Sequence, residues 1–300
     1  MKFKIFWVKL WNLIIVFFTG IVYNFHKLVK NVDTKFRIQY LPDGKRCHRA
    51  EMYYPEDYKT KKDIPLIFYF HGGGWCKLDK SMYRTLCRRL ASFGYIVFNC
   101  NYGLAPKNSI DGIIDNCLYA INYCKKIAKD YNGDNSKIVL AGDSAGGNIA
   151  SLIAGLASKG KLERYETLKT DIKATILFYG VYDFKTVMRS GFPKMDIYLA
   201  SIFDLSSKNL YNDMAIYSPI NYVSASFPPT LIASGKIDKL HSSQSEVLDK
   251  VLTQNNVYHK SIFFDKNNNL GRHGFMSVDK LATNKKVLAE IEPFLKEVLK

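Results

Sequence analysis

Apolar runs alternating with amphipathic stretches from residue 33 onward predict an α/β fold with a mainly parallel central sheet and helices on both faces. Three observations carry that prediction. Continuous apolar runs such as PLIFYF at 65–70 recur along the chain, as in strands covered on both faces. Helical periodicity fills the intervals between them, which is the pattern of right-handed βαβ crossovers. The glycine-rich and potentially reactive segments fall directly after strands, where ligands gather in such sheets.

The elements follow in order. Residues 36–40 and 47–54 alternate at period two around Pro42-Asp43-Gly44, the chemistry of a hairpin. A buried strand is predicted over 65–70. A helix follows over 81–93, closed by Gly94 at its C-terminus. A strand at 95–100 precedes a long helix over 111–131 that ends at Asn132-Gly133. Then come a strand at 137–141, a helix at 146–157, and strands at 172–179 and 230–234. A helix at 242–253, a strand at 258–264 and a helix at 283–299 complete the series. One stretch breaks the rhythm: 181–218, rich in aromatics and methionine, is too long for an ordinary loop. It reads as a cap inserted over the site.

The 300 residues suffice for one large domain, assigned here to 31–300. The 43 Lys and Arg against 27 Asp and Glu give a formal charge of +16. The lysines are scattered and meet no nucleic-acid motif, so a nucleic-acid partner is excluded and the excess reads as a solvated basic surface. The six cysteines, Cys47, Cys76, Cys87, Cys100, Cys117 and Cys124, form no CxxC pair. Several fall on apolar faces, where free thiols behave as small hydrophobes; three disulfides remain the alternative.

The first thirty residues predict a membrane partner. Residues 5–25 are interrupted by charge only at Lys9, with lysines on both flanks and Trp7, Trp11 and Tyr23 near the ends. That is long enough to span a bilayer as a helix. A cleaved signal peptide is the rival, although the small residues of a cleavage site are poorly supplied; a surface-lying helix would lack a polar face. The expectation is a single N-terminal anchor of undecided sidedness.

The sharpest chemical signal is Gly142-Asp143-Ser144-Ala145-Gly146-Gly147, straight after the apolar strand. A G-x-S-x-G sequence between strand and helix forces a sharp turn that leaves the serine hydroxyl exposed, which makes Ser144 the candidate nucleophile. The second is His71-Gly72-Gly73-Gly74-Trp75 at the end of PLIFYF. Glycines leave amide N–H groups unobstructed, and an ester carbonyl attacked by serine becomes an oxyanion that such donors stabilise. Gly72, Gly73 and Ala145 are the predicted donors, with His71 a structural residue of the loop.

At these two motifs the chain resembles the hormone-sensitive-lipase-like and related HGGGW carboxylesterases of the α/β-hydrolase fold. Asn101-Tyr102-Gly103-Leu104-Ala105-Pro106 adds to the likeness, with Gly103 where the family's Y-R-L-A-P has arginine. The resemblance covers about 33–300. It implies a serine hydrolase acting on small-molecule esters.

A serine needs a base, and the base needs an orienting carboxylate. His273, in Gly271-Arg272-His273-Gly274-Phe275 after the last strand, is the one histidine with no competing place, and it matches the family's His-Gly-Phe. Asp238, after the strand at 230–234, gives the order Ser, Asp, His expected of this fold; Asp183 is the alternative, unless it caps the inserted segment. The implied chemistry is an acyl-enzyme hydrolysis of small to medium apolar acyl or aryl esters that requires no metal or organic cofactor. Amide or lipid hydrolysis on the same residues stays open, as does a tethered binding protein that has lost catalysis.

Overall fold

The computed structural model describes residues 29–162, 168–279 and 281–300. The eight strands are β1 (Val32–Gln39), β2 (Arg49–Pro55), β3 (Ile64–Phe70), β4 (Ile96–Cys100), β5 (Gly133–Asp143), β6 (Ile172–Phe178), β7 (Thr230–Gly235) and β8 (His259–Phe264). They form one sheet in the order β1-β2-β4-β3-β5-β6-β7-β8. β1 and β2 pair antiparallel, and β2 pairs antiparallel with β4. From β4 across to β8 every pairing is parallel. The mainly parallel sheet read from the sequence is therefore present.

Side chains alternate across each strand, so one apolar run serves two cores. Leu66, Phe68 and Phe70 of β3 face the same core as Ile149, Leu152 and Ile153 of helix α3 (Ala145–Ser158). That layer also holds Ile113, Cys117 and Ile121 of α2 (Ile110–Ala128). Ile67 and Tyr69, pointing the other way, join Leu86 and Leu90 of α1 (Arg84–Ser92) and Ile291 and Phe294 of α9 (Ala282–Val298). The register sets Phe68 beside Phe98, their rings stacked with centroids 5.1 Å apart. Between α3 and the final helix lie short α4 (Leu168–Asp171), α5 (Phe184–Val187), α6 (Met195–Ile202), α7 (Leu210–Ile216) and α8 (Glu246–Gln254). Helices α5, α6 and α7 make up the aromatic stretch between β6 and β7.

The six cysteines are free thiols, and Cys87, Cys100, Cys117 and Cys124 are buried in the apolar layers. The apolar segment at 5–25 lies outside the described residues. The expectation of a membrane-anchored chain is corrected nevertheless. Among the described residues no helix is long and apolar enough to cross a membrane. Even α2, at 19 residues, carries exposed Asp111, Asp115 and Lys126, and its Lys125 is ion-paired with Asp171.

Candidate active site

The carboxyl ends of β3, β5, β7 and β8 deliver the potentially reactive residues to one place. At the end of β5 the backbone of Ser144 adopts φ 50 and ψ −118, which reverses the chain directly into α3. Such a conformation is costly for a residue with a Cβ and persists only where its surroundings hold it. Here the Ser144 N–H donates to the Phe178 carbonyl at 2.9 Å, and the Ser144 carbonyl accepts from the Asn148 N–H at 3.1 Å.

His273 lies on the loop after β8. Its Nε2 is 2.9 Å from Ser144 Oγ and its Nδ1 is 2.7 Å from Asp238 Oδ2. The imidazole is fixed by edge contacts to Tyr179 and Phe192, with ring centroids at 4.8 and 4.7 Å. Asp238 is buried just past β7, and its Oδ1 accepts from the Leu240 N–H at 3.0 Å. With both carboxylate oxygens committed, it can hold a proton on Nδ1 and leave the Nε2 lone pair facing the serine hydroxyl. Asp183, the alternative acid, accepts from the Lys185 N–H at 2.9 Å and caps α5. The structure brings Ser144, His273 and Asp238 together and leaves Asp183 apart.

A second string of the same residue types exists. Ser234 Oγ is 2.7 Å from His241 Nδ1, and His241 Nε2 is 3.0 Å from Glu246 Oε1. Ser234 is 0% exposed, so no substrate carbonyl can reach it. Exposure, not pairing, separates the two.

The glycine loop departs from the sequence reading at one atom. The Gly72 N–H donates to Asp143 Oδ1 at 2.8 Å. An amide proton given to a carboxylate is not available to an oxyanion, so Gly72 is corrected out of the donor set. Gly73 and Gly74 line the cavity beside Ser144, and no hydrogen bond among the described residues occupies their N–H groups. Ala145 opens α3, where the first amides have no intrahelical partner.

The loop is braced from beneath. Asp143 Oδ1 also accepts from the Tyr69 hydroxyl at 2.9 Å, and Oδ2 from the Tyr83 hydroxyl at 2.7 Å. Burial pushes the Asp143 carboxyl up to about 6, against the pull of these donors. His71 stacks on Tyr102 with centroids 4.4 Å apart, and burial brings its imidazole down to about 4, so it stays neutral. Trp75 Nε1 donates to Asn148 Oδ1 at 3.2 Å, tying the loop to α3.

The cavity over Ser144 has a volume of about 170 Å3 and is lined by Gly73, Gly74, Phe192, Met195, Tyr198 and His273, among others.

The BD-FAE family model matches residues 50–252, more than half of the chain. The chain belongs to the BD-FAE family. This BD-FAE chain is 27% identical over 220 residues to esterase LipQ of Mycobacterium tuberculosis, with 72% of the chain and 52% of LipQ covered. It is 34% identical over 116 residues to carboxylesterase NlhH of the same organism, with 38% of the chain and 36% of NlhH covered. The chain thus spans about half the length, or less, of these curated relatives. A crystal structure of inhibited esterase B from Lactobacillus rhamnosis superposes with a TM-score of 0.81 over 97% of this chain and 95% of that one, at 21% identity. That likeness is one of fold, and the fold is that of the α/β-hydrolases. It agrees with the hormone-sensitive-lipase-like resemblance seen at HGGGW and GDSAGG.

Asp143 and Lys77 escaped the sequence reading, and Tyr198 was read only as one aromatic of the 181–218 cap, without its partner. Asp143 was visible only as a letter inside the serine motif, and its tyrosine partners come from 69 and 83. Lys77 and Tyr198, both lining the cavity, lie 121 positions apart. Nothing in local pattern joins them.

Proposed function

We propose that this chain is a carboxylesterase-type serine hydrolase in which Ser144 is the nucleophile, His273 the general base and Asp238 the orienting carboxylate. The observation that carries the reading is the relay itself, 2.9 Å from Ser144 Oγ to His273 Nε2 and 2.7 Å from His273 Nδ1 to Asp238 Oδ2. It stands beside unobstructed glycine amides, and the esterase names of the relatives LipQ and NlhH support it.

His273 takes the hydroxyl proton as Ser144 Oγ attacks the ester carbonyl. The N–H groups of Gly73, Gly74 and Ala145 receive the negative charge on the carbonyl oxygen. The imidazolium, held by Asp238, returns its proton to the alcohol, which leaves. Water enters and His273 removes its proton as its oxygen bonds the acyl carbon; the acyl–Oγ bond then breaks, the imidazolium returns the proton to Ser144 Oγ, and the acid departs. Residues 181–218 act as a cap on the domain 31–300, and Phe192, Met195 and Tyr198 give the substrate an apolar wall.

The test is hydrolysis of p-nitrophenyl acetate and butyrate by the wild type and Ser144→Ala. Loss of at least about 1,000-fold in kcat, with the melting temperature kept, is expected of a removed nucleophile. A Ser144→Ala protein that turns over at the wild-type rate refutes the assignment.

A further inference from the structure

Lys77 stands out among the residues around Ser144. Its Nζ lines the cavity, half-buried, and donates to the Tyr198 hydroxyl at 2.6 Å while lying 4.8 Å from the centre of that ring. An ammonium has three donors, and only this one is used. Among the described residues Lys77 makes no ion pair, whereas two other well-covered lysines, Lys80 with Glu51 at 2.8 Å and Lys125 with Asp171 at 2.5 Å, are matched to carboxylates. Asp143 also lines the cavity, but its oxygens are occupied by Tyr69, Tyr83 and Gly72. Tyr198 is buried, and its own hydroxyl proton has no acceptor among the described residues. An ammonium and a phenol proton therefore share one small space, and no carboxylate among the described residues is hydrogen-bonded to either.

The pair is also tied to the loop that would receive the carbonyl oxygen. The Lys77 N–H donates to the Gly73 carbonyl at 3.1 Å. A Cβ added at Gly74 would fall 2.7 Å from Tyr198 Cγ, so the ring packs flat on that glycine. Lys77, Tyr198, Gly73, Gly74 and Ser144 thus line one and the same cavity.

We propose that Lys77 and Tyr198 form an anion-binding subsite, and that the preferred substrates are esters carrying a carboxylate close to the scissile bond. The proposal rests on the serine esterase reading above. A carboxylate bridging Lys77 Nζ and Tyr198 Oη satisfies both donors, and a half-buried, low-dielectric setting strengthens such charge-assisted bonds. Lys77 and Tyr198 are specificity residues in this scheme, since neither exchanges a proton with the reacting atoms.

The test compares charged esters with neutral isosteres: monomethyl glutarate against methyl pentanoate for a carboxylate on the acyl side, and acetoxyacetate against ethyl acetate for one on the alcohol side. The wild type is expected to favour at least one charged member by about tenfold in kcat/KM, the scale of one charge-assisted hydrogen bond. The gain should appear mainly in KM. Within Lys77→Met, and to a lesser degree within Tyr198→Phe, the same ratio should fall to about one or below. Because it is taken within a single protein, the ratio is unaffected by the active fraction of a poorly folding variant. Calorimetry on Ser144→Ala should show monomethyl glutarate or acetoxyacetate binding that Lys77→Met abolishes. Equal kcat/KM for both members of each pair in the wild type overturns the subsite. So does a Lys77→Met protein that loses rate equally on charged and neutral esters, which would place the ammonium at the oxyanion instead. Failure of the esterase reading looks different: no ester is hydrolysed and a fluorophosphonate does not label Ser144, and both proposals then fall.

Discussion

At the scale of single residues, Asp143 joins the turn at Ser144 to the glycine loop beside it. Three donors surround its carboxylate, yet burial outweighs them and its folded value of about 6 stands above the ordinary 3.8. The folded protein therefore holds this proton more tightly than the unfolded chain, so the stability it contributes is greatest at low pH and is lost as pH rises through about 6. His71 runs the other way. Its folded value of about 4 lies below 6.5, so its contribution is complete above 6.5 and is lost as pH falls through about 4. In urea unfolding, the stability gap between wild type and Asp143→Asn should shift in favour of the wild type by roughly 1 kcal/mol between pH 7 and pH 5. A gap that does not move with pH would mean that the carboxyl titrates in its ordinary range. At this scale the sequence showed which side chains are reactive types but not which amide each would claim. Gly72, Gly73 and Gly74 are chemically identical, and only the position of the Asp143 carboxylate separates the first from the others.

Among the elements, the strands were legible because the parallel sheet is covered on both faces, so runs such as 65–70 and 137–141 are apolar throughout and bounded by turns. The start of β5 was not. Gly133 and Asp134 pair with Ile64 and Pro65 before a register shift, and a glycine followed by an aspartate gave no apolar strand signal. The helix read over 242–253 is present, but its first turn, His241–Ser245, is a π-turn, a wider period that the sequence pattern did not distinguish. The turn after β4 explains the one departure from the family pattern. The Gly103 N–H donates to Asn116 Oδ1 at 2.9 Å, and a Cβ there would meet the Asn108 side chain at 2.6 Å. Gly103→Ala should therefore cost about 1–3 kcal/mol by overpacking, measured by urea unfolding. Adding Asn108→Ala should return a large part of it, because contacting sites are not additive. Additive losses would show that the crowding lies elsewhere.

Across the whole molecule, the proposed chemistry and the proposed specificity draw on different parts of the chain. The strand ends carry Ser144, Asp238 and His273, while the stretch between β6 and β7 supplies Phe192, Met195 and Tyr198. The alternation of strands and helices made this architecture readable, but the pairing of Lys77 with Tyr198 depends on how an irregular segment folds back, which no periodicity encodes. The charge of +16 acts at this scale too, drawing anions toward the protein over distances set by salt. For monomethyl glutarate, kcat/KM should fall several-fold between about 10 mM and 500 mM sodium chloride, while methyl pentanoate is nearly unaffected. Parallel salt curves for the two esters would show that the field plays no part in capture.

Ser144 keeps its unusual backbone angles only while Phe178, on the adjoining strand, accepts its amide proton. The proposed nucleophilicity would thus be a property of two strands in register, absent from any peptide that contains the motif alone. Ageing or partial melting that let those strands slip would silence the serine while circular dichroism still reported native helix. For a stored preparation, covalent titration of this hydroxyl is the earlier alarm.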